Sequence, residues 1–260
     1  MPGCAPHHKC DEEVSIIEND RCSIARLNTN QHAGENVENR NVELFKRLGA
    51  GLAITVFPIM LLFGFVLHPD IFSFQRITTA AEWATEWRGN FFFHFGHLLV
   101  LFVVPLSIVM SVRFMSLLQR QGVWYGFVGC MLSVFGAFML AVDKGALTLV
   151  LTAFQTLPEE QFANIFPALQ TLLDKAGWLW ITWLFAILPI GVILQTIGLI
   201  KEDFIPAWQG LVIIVGLALL LNPDIEIISV AGSALMCVGI IPIGIRELRG
   251  PLERAKDRSA

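Results

Sequence analysis

FFFHFGHLLVLFVVPLSIVMSV, residues Phe91–Val112, is the stretch whose reading decides the fold. It is about as long as the ~20-residue helix that crosses ~30 Å of hydrocarbon. Three further runs share its character: Leu48–Leu67, Gly177–Ile200 and Ile225–Ile245. A water-soluble fold has no use for so many unbroken apolar segments. Val123–Val142 (VWYGFVGCMLSVFGAFMLAV) is a fifth, and Ala207–Leu221 (AWQGLVIIVGLALLL) a shorter sixth that crosses with little tilt or with local thinning. Composition agrees, with 55% hydrophobic residues, 15% charged residues and a mean hydropathy of +0.63. The expected fold is an all-α integral membrane protein, a six-transmembrane-helix bundle with an outer-face amphipathic cap helix. Its helices fall near 48–67, 91–113, 122–142, 177–200, 207–221 and 225–245, with the cap within 143–176.

A chain of 260 residues with most of its length in the bilayer has room for one bundle and little else. The net charge of −4 resides in loops and tails, and no basic stripe with interleaved aromatics is present, which excludes a nucleic-acid partner. Cys4, Cys10 and Cys22 lie in a polar tail and Cys130 and Cys237 in apolar runs, so no disulfide framework is indicated. Residues 1–43 carry no apolar core with a cleavage site, and the first membrane helix is expected to act as the targeting signal. This tail, rich in Asn, Glu, Asp and His without periodicity, reads as disordered and cytoplasmic. Residues 250–260 read as a charged cytoplasmic end.

Charge sets the orientation. Lys46, Arg47, Arg113, Arg120, Lys201, Arg246 and Arg249 fall on one side, against Arg76, Arg88, Lys144 and Lys175 on the other. The positive-inside rule then places both termini in the cytoplasm, and a plasma membrane is the expected location. Trp124 and Trp208 mark the inner interface; Trp178, Trp180 and Trp183 mark the outer one. On the outer side, ITTAAEWATEWRGN predicts a short surface helix with Trp83 and Trp87 on one face. Phe162, Ile165, Phe166, Leu169, Leu172 and Leu173 recur at helical spacing and predict the cap helix. Between them, the third membrane helix either runs on past Val142 or breaks at Asp143-Lys144-Gly145.

Ionisable residues within a membrane helix usually mark a pathway. The middle portions of all six helices lack them, which argues against a proton- or ion-coupled transporter. Prolines at 58, 105, 189 and 242 predict kinks. FPIMLLFG and LPIGVILQ in the first and fourth helices resemble each other too briefly to carry an inverted repeat.

Three groups of residues are candidate sites. His68, His94 and His97 lie near the outer interface, where three imidazoles could hold a metal or a pair could ligate haem. The structural alternative is that they bond to loops and headgroups. Gly129, Ser133, Ala137, Ala141 and Gly145 recur every four residues, a stripe for close helix packing or for a lipid, quinone or pigment groove. Asp143, Lys144, Asp224 and Glu226 form outer-mouth charges, with Lys144 expected to pair with Asp224 or Glu226. The tail segment Cys4-Ala-Pro-His7-His8-Lys9-Cys10 offers soft ligands at a spacing that matches no standard zinc site.

No nucleophile motif, phosphate loop or paired carboxylates appear. The leading expectation is a non-catalytic accessory or scaffold subunit of a larger membrane complex, contacting lipids and other membrane subunits. The alternatives are a redox or metal-dependent protein built on the three histidines, and a facilitator of a neutral lipophilic solute. The cofactor is unassigned, with haem, metal, quinone and pigment all open.

Overall fold

The computed structural model describes residues 41–69, 71–72, 77–175, 184–222 and 225–250. Most of the N-terminal tail with its three cysteines, Trp178, Trp180, Trp183, Asp224 and the end beyond Gly250 lie outside them. The described residues are helical with no strand among them. Four helices are long and apolar enough to cross a membrane: α1 (Asn41–Val66), α3 (Phe91–Leu117), α4 (Val123–Phe154) and α9 (Glu226–Arg249). Two apolar helices are shorter, α7 (Ile187–Lys201) and α8 (Ala207–Leu219). Three polar or amphipathic helices also lie among the described residues: α2 (Ala80–Trp87), α5 (Glu159–Asn164) and α6 (Phe166–Lys175).

Residues up to Arg47 belong to an N-terminal unit and the chain from Leu48 onward to a second. Among the described residues helix α1 already covers Asn41, ahead of the hydrophobic run, and there Lys46 pairs with Glu43 at 3.0 Å.

From Leu48 onward the apolar helices pack in the ring α1–α3–α4–α7–α8–α9, which closes back on α1. What permits this is glycine set against backbone. In hydrocarbon, apolar surface gains nothing by leaving lipid for protein, so helices associate through close van der Waals approach, which small residues allow. A Cβ on Gly96 would sit 2.7 Å from the Gly64 carbonyl, across α1 and α3. Gly216 and Gly232 stand in the same relation across α8 and α9, each 2.7 Å from the other's carbonyl. Gly51 and Gly244 meet across α1 and α9, and Gly129 and Gly191 across α4 and α7. Ile54, Phe57, Met110, Phe114, Ile213, Met236 and Ile240 fill the centre of the ring.

The distribution of polarity is inverted relative to a soluble protein. Ser107, Ser111, Ser133, Gln195, Thr196, Gln209 and Ser233 are buried, while Phe63, Phe102, Phe127, Phe138, Met131 and Leu211 are exposed. Isolated exposed apolar residues are ordinary, but helix surfaces studded with them belong in lipid. Glutamines tie helices together inside: Gln209 Nε2 donates to the Gly239 carbonyl at 2.7 Å, joining α8 to α9.

Prolines act differently by position. α3 runs through Pro105 and α9 through Pro242 without interruption. The expected continuous helix over 177–200 is instead interrupted at Phe185–Ala186. Pro189 has no N–H for the Phe185 carbonyl, which accepts from the Leu188 N–H at 3.0 Å. Residues 177–183 of that run lie outside the described residues.

The third membrane helix does not break at Asp143-Lys144-Gly145; α4 continues to Phe154. The single amphipathic helix expected over Phe162–Leu173 is two helices, α5 and α6, parted at Ile165. Pro167, second residue of α6, explains the break, because it cannot donate to Ala163 and is tolerated only in a first turn. Phe162 and Leu169 are buried, but Leu172 is exposed.

Helix α2 does not lay both tryptophans on a surface. A capping box closes its start: the Thr79 hydroxyl accepts from Glu82 N, and the Glu82 carboxylate accepts from Thr79 N. The Thr78 amide, which donates to the same carboxylate at 3.2 Å, and then the Thr79 hydroxyl and amide hold the Glu82 carboxyl below its usual pKa. Trp87 is fully buried, edge-on to Phe162 at 5.5 Å, in a second core shared by α2, α5, α6 and the end of α4. Burial of each such large apolar side chain away from water contributes about 1.5–3 kcal/mol. Gln170 of α6 accepts from Ala80 N at 2.7 Å and donates to the Thr78 carbonyl at 3.1 Å. Arg88 lies 3.8 Å over the Phe162 ring and pairs with Glu159 at 2.7 Å. The chain then turns into α3 through Gly89, whose φ of +70° is a left-handed conformation suited to glycine.

Candidate functional site

The ionisable residues singled out in the sequence gather at the end of the bundle next to α2. Asn90 caps α3 there, its side chain accepting from Phe92 N and Phe93 N and donating to the Glu86 carbonyl at 3.0 Å. This fixes the start of α3 and hence its two histidines.

His68, in the turn after α1, lies with Nδ1 3.2 Å from Glu226 Oε1, the first residue of α9. Its ring contacts those of Phe93, at 4.8 Å between centroids, and His97, at 5.1 Å. His97 is buried and its Nδ1 lies 3.0 Å from the Phe93 carbonyl. A carbonyl only accepts, so Nδ1 carries the proton and Nε2 is the bare nitrogen of the neutral ring. His94 faces elsewhere. Its Nε2 donates to the Trp87 carbonyl at 3.0 Å and its Nδ1 accepts from the Thr152 hydroxyl at 3.5 Å.

The structure therefore brings His68 and His97 together and sets His94 apart as a clamp between α2, α3 and α4. Among the described residues, no group of three His, Cys, Asp or Glu is arranged to hold a metal ion. Lys144 does not form the expected ion pair with Glu226; it pairs with its neighbour Asp143 at 3.3 Å. Asp224 lies outside the described residues.

The stripe on α4 is closed by α7. Gly129, Ser133 and Ala137 are buried, and a Cβ on Gly191 would lie 2.5 Å from both the Gly129 carbonyl and Ser133 Oγ. Ala141 packs beside Val104 and Leu188. At Gly145 a Cβ would meet nothing within 4 Å, so the close approach ends before it.

The opposite end of the bundle holds residues that sequence reasoning did not single out as a site. Glu247 is fully buried in α9 and accepts from Arg113 Nε at 2.9 Å and from its Nη2, joining α9 to α3. Glu202, after α7, turns one carboxylate oxygen to the Arg120 and Gly122 amides at the start of α4. Anions are favoured at the N-terminal end of a helix, and these amide bonds hold the Glu202 carboxyl below its usual pKa. Arg246 lies 4.0 Å over the Phe204 ring. A single Gln within an otherwise apolar run is the signal that marks Gln195 and Gln209, whereas Glu247 stands among the arginines at the end of its run and carries no such signal.

The fold and its inverted surface define a helical membrane protein. No family model, curated protein or solved structure matches the chain, so similarity adds no narrower class.

Proposed function

We propose that the chain spans a plasma membrane six times with both termini cytoplasmic, and serves as a non-catalytic accessory or scaffold subunit of a larger membrane complex. In this reading α7 and α8 are the two shorter spans, and α2, α5 and α6 form a cap on the outer face. The observation that carries it is the use made of the polar residues beneath that cap. His68 meets Glu226, Asp143 meets Lys144, and His94 bonds to Trp87 and Thr152. His68 joins the end of α1 to α9, and His94 holds α2, α3 and α4 together, an employment suited to a rigid platform. Exposed Phe91, Phe92 and Phe95 beside the cap offer apolar contact to lipid or to another subunit.

The contact between the His68 and His97 rings next to Glu226 favours a second reading, a metal- or haem-dependent protein using that pair. Native mass spectrometry of the protein released from its own membrane in mild detergent separates the two. The subunit reading expects a large assembly, with or without a retained quinone or pigment. A lone chain carrying a metal or haem mass would replace it with the second reading. A lone, unliganded chain would contradict both and leave flux of a neutral solute in proteoliposomes as the activity to assay.

A further inference from the structure

Where α3, α4 and α7 meet, the bundle contains fully buried polar atoms that no protein group satisfies. They are Gln195 Oε1 on α7, Ser111 Oγ on α3 and Ser133 Oγ on α4. The Gln195 amide is oriented by its nitrogen, which donates to the Ser111 carbonyl at 2.8 Å and the Gly126 carbonyl at 3.4 Å. Flipping it would set its oxygen against two carbonyl oxygens, so Oε1 is an acceptor in need of a donor. Gln195 lies six residues before Lys201, about 9 Å into the bundle along α7 at 1.5 Å per residue. At that depth in a bilayer there is no bulk water to supply the missing bonds, and unmade ones are costly.

The three helices are held in register here. Gln195 Cγ lies 2.6 Å from where a Gly129 Cβ would be, and Ser133 Oγ 2.5 Å from where a Gly191 Cβ would be. Gly191 and Gln195 share one face of α7, as Gly129 and Ser133 share one face of α4, and the Gln195 bond to the Ser111 carbonyl brings α3 to the same crossing. The set comprises one obligate acceptor and two hydroxyls, each able to donate and to accept. Its complement is an uncharged group that both donates and accepts, and no charged side chain stands among these groups to recruit an ion. We infer that this three-helix seam is a binding site for a small uncharged hydroxyl: a water molecule, or the hydroxyl of a lipophilic solute. The bound hydroxyl donates to Gln195 Oε1 and accepts from a serine, and water, with its second proton, bonds the other serine as well.

A high-resolution structure of the full chain in lipid nanodiscs tests this. The expected result is density within hydrogen-bond distance of Gln195 Oε1 and at least one of the two serine hydroxyls. A single isolated peak identifies water. Density that extends along the helices, with a matching retained mass in native mass spectrometry, identifies a solute hydroxyl. In the Ser111→Ala/Ser133→Ala variant the density should be lost while the Gln195 bonds to Ser111 and Gly126 remain. Absence of density in the wild-type chain, with both serines bonded to carbonyls of their own helices, would overturn the assignment.

Discussion

Arg113→Ala will destabilise the folded protein by about 3–5 kcal/mol, the cost of removing one partner of a buried ion pair. Glu247 is fully buried and receives two guanidinium hydrogen bonds, while the Arg113 side chain is 26% exposed. Removing the arginine therefore takes both guanidinium hydrogen bonds from a carboxylate held in the interior. The thermal midpoint in mild detergent should fall steeply. Arg113→Leu/Glu247→Leu should recover most of the loss, because replacing a buried pair with apolar groups is often near neutral. A single and a double variant with equal midpoints would show that the pair does not join α3 to α9 in the way described.

Gly191→Val is the second large effect. Its Cβ would meet the Gly129 carbonyl, the Ser133 amide nitrogen and Ser133 Oγ, and the first two are backbone that cannot rotate aside. α4 and α7 would have to separate, and overpacking of this kind costs about 1–3 kcal/mol even where side chains can yield. Gly145→Ala is the matched control on the same stripe. There a new methyl meets nothing within 4 Å, so relief of glycine's backbone entropy should stabilise α4 by about 0.5–1 kcal/mol. Thermal midpoints moving in opposite directions would confirm that the stripe is closed by α7 up to Ala141 and open beyond it. A tolerated Gly191→Val would contradict the close crossing.

The apolar helices were legible in the sequence because hydrophobic length is a direct consequence of bilayer thickness. Their pairing was less so. Glycine steps on α4 announced one crossing, but the Gly64–Gly96 and Gly51–Gly244 contacts each join single glycines from distant runs, which no local pattern reveals. Proline chemistry was legible at Pro189, whose expected kink is the break at Phe185–Ala186, but not at Pro167, which parts α5 from α6 where one helix was expected. The histidine group was legible as composition and misleading as geometry. His94 and His97 are three residues apart, yet Asn90 and the turn at Gly89 direct His94 to the Trp87 carbonyl and leave His97 beside His68. Of the two partners expected for Lys144 across the bundle, Glu226 is not taken: Asp143 stands next to the lysine and needs no search through space.

The placement of the α2, α5 and α6 core outside the membrane, with the Gln121 turn inside, is the claim on which the rest depends. Cysteine scanning on a background free of the five native cysteines tests it, using a membrane-impermeant maleimide on intact cells. Asn164→Cys, on exposed α5, should label in intact cells, and Gln121→Cys, exposed between α3 and α4, only after permeabilisation. Labelling of both positions from the same side would contradict the account, because α4 could not then cross the membrane between them.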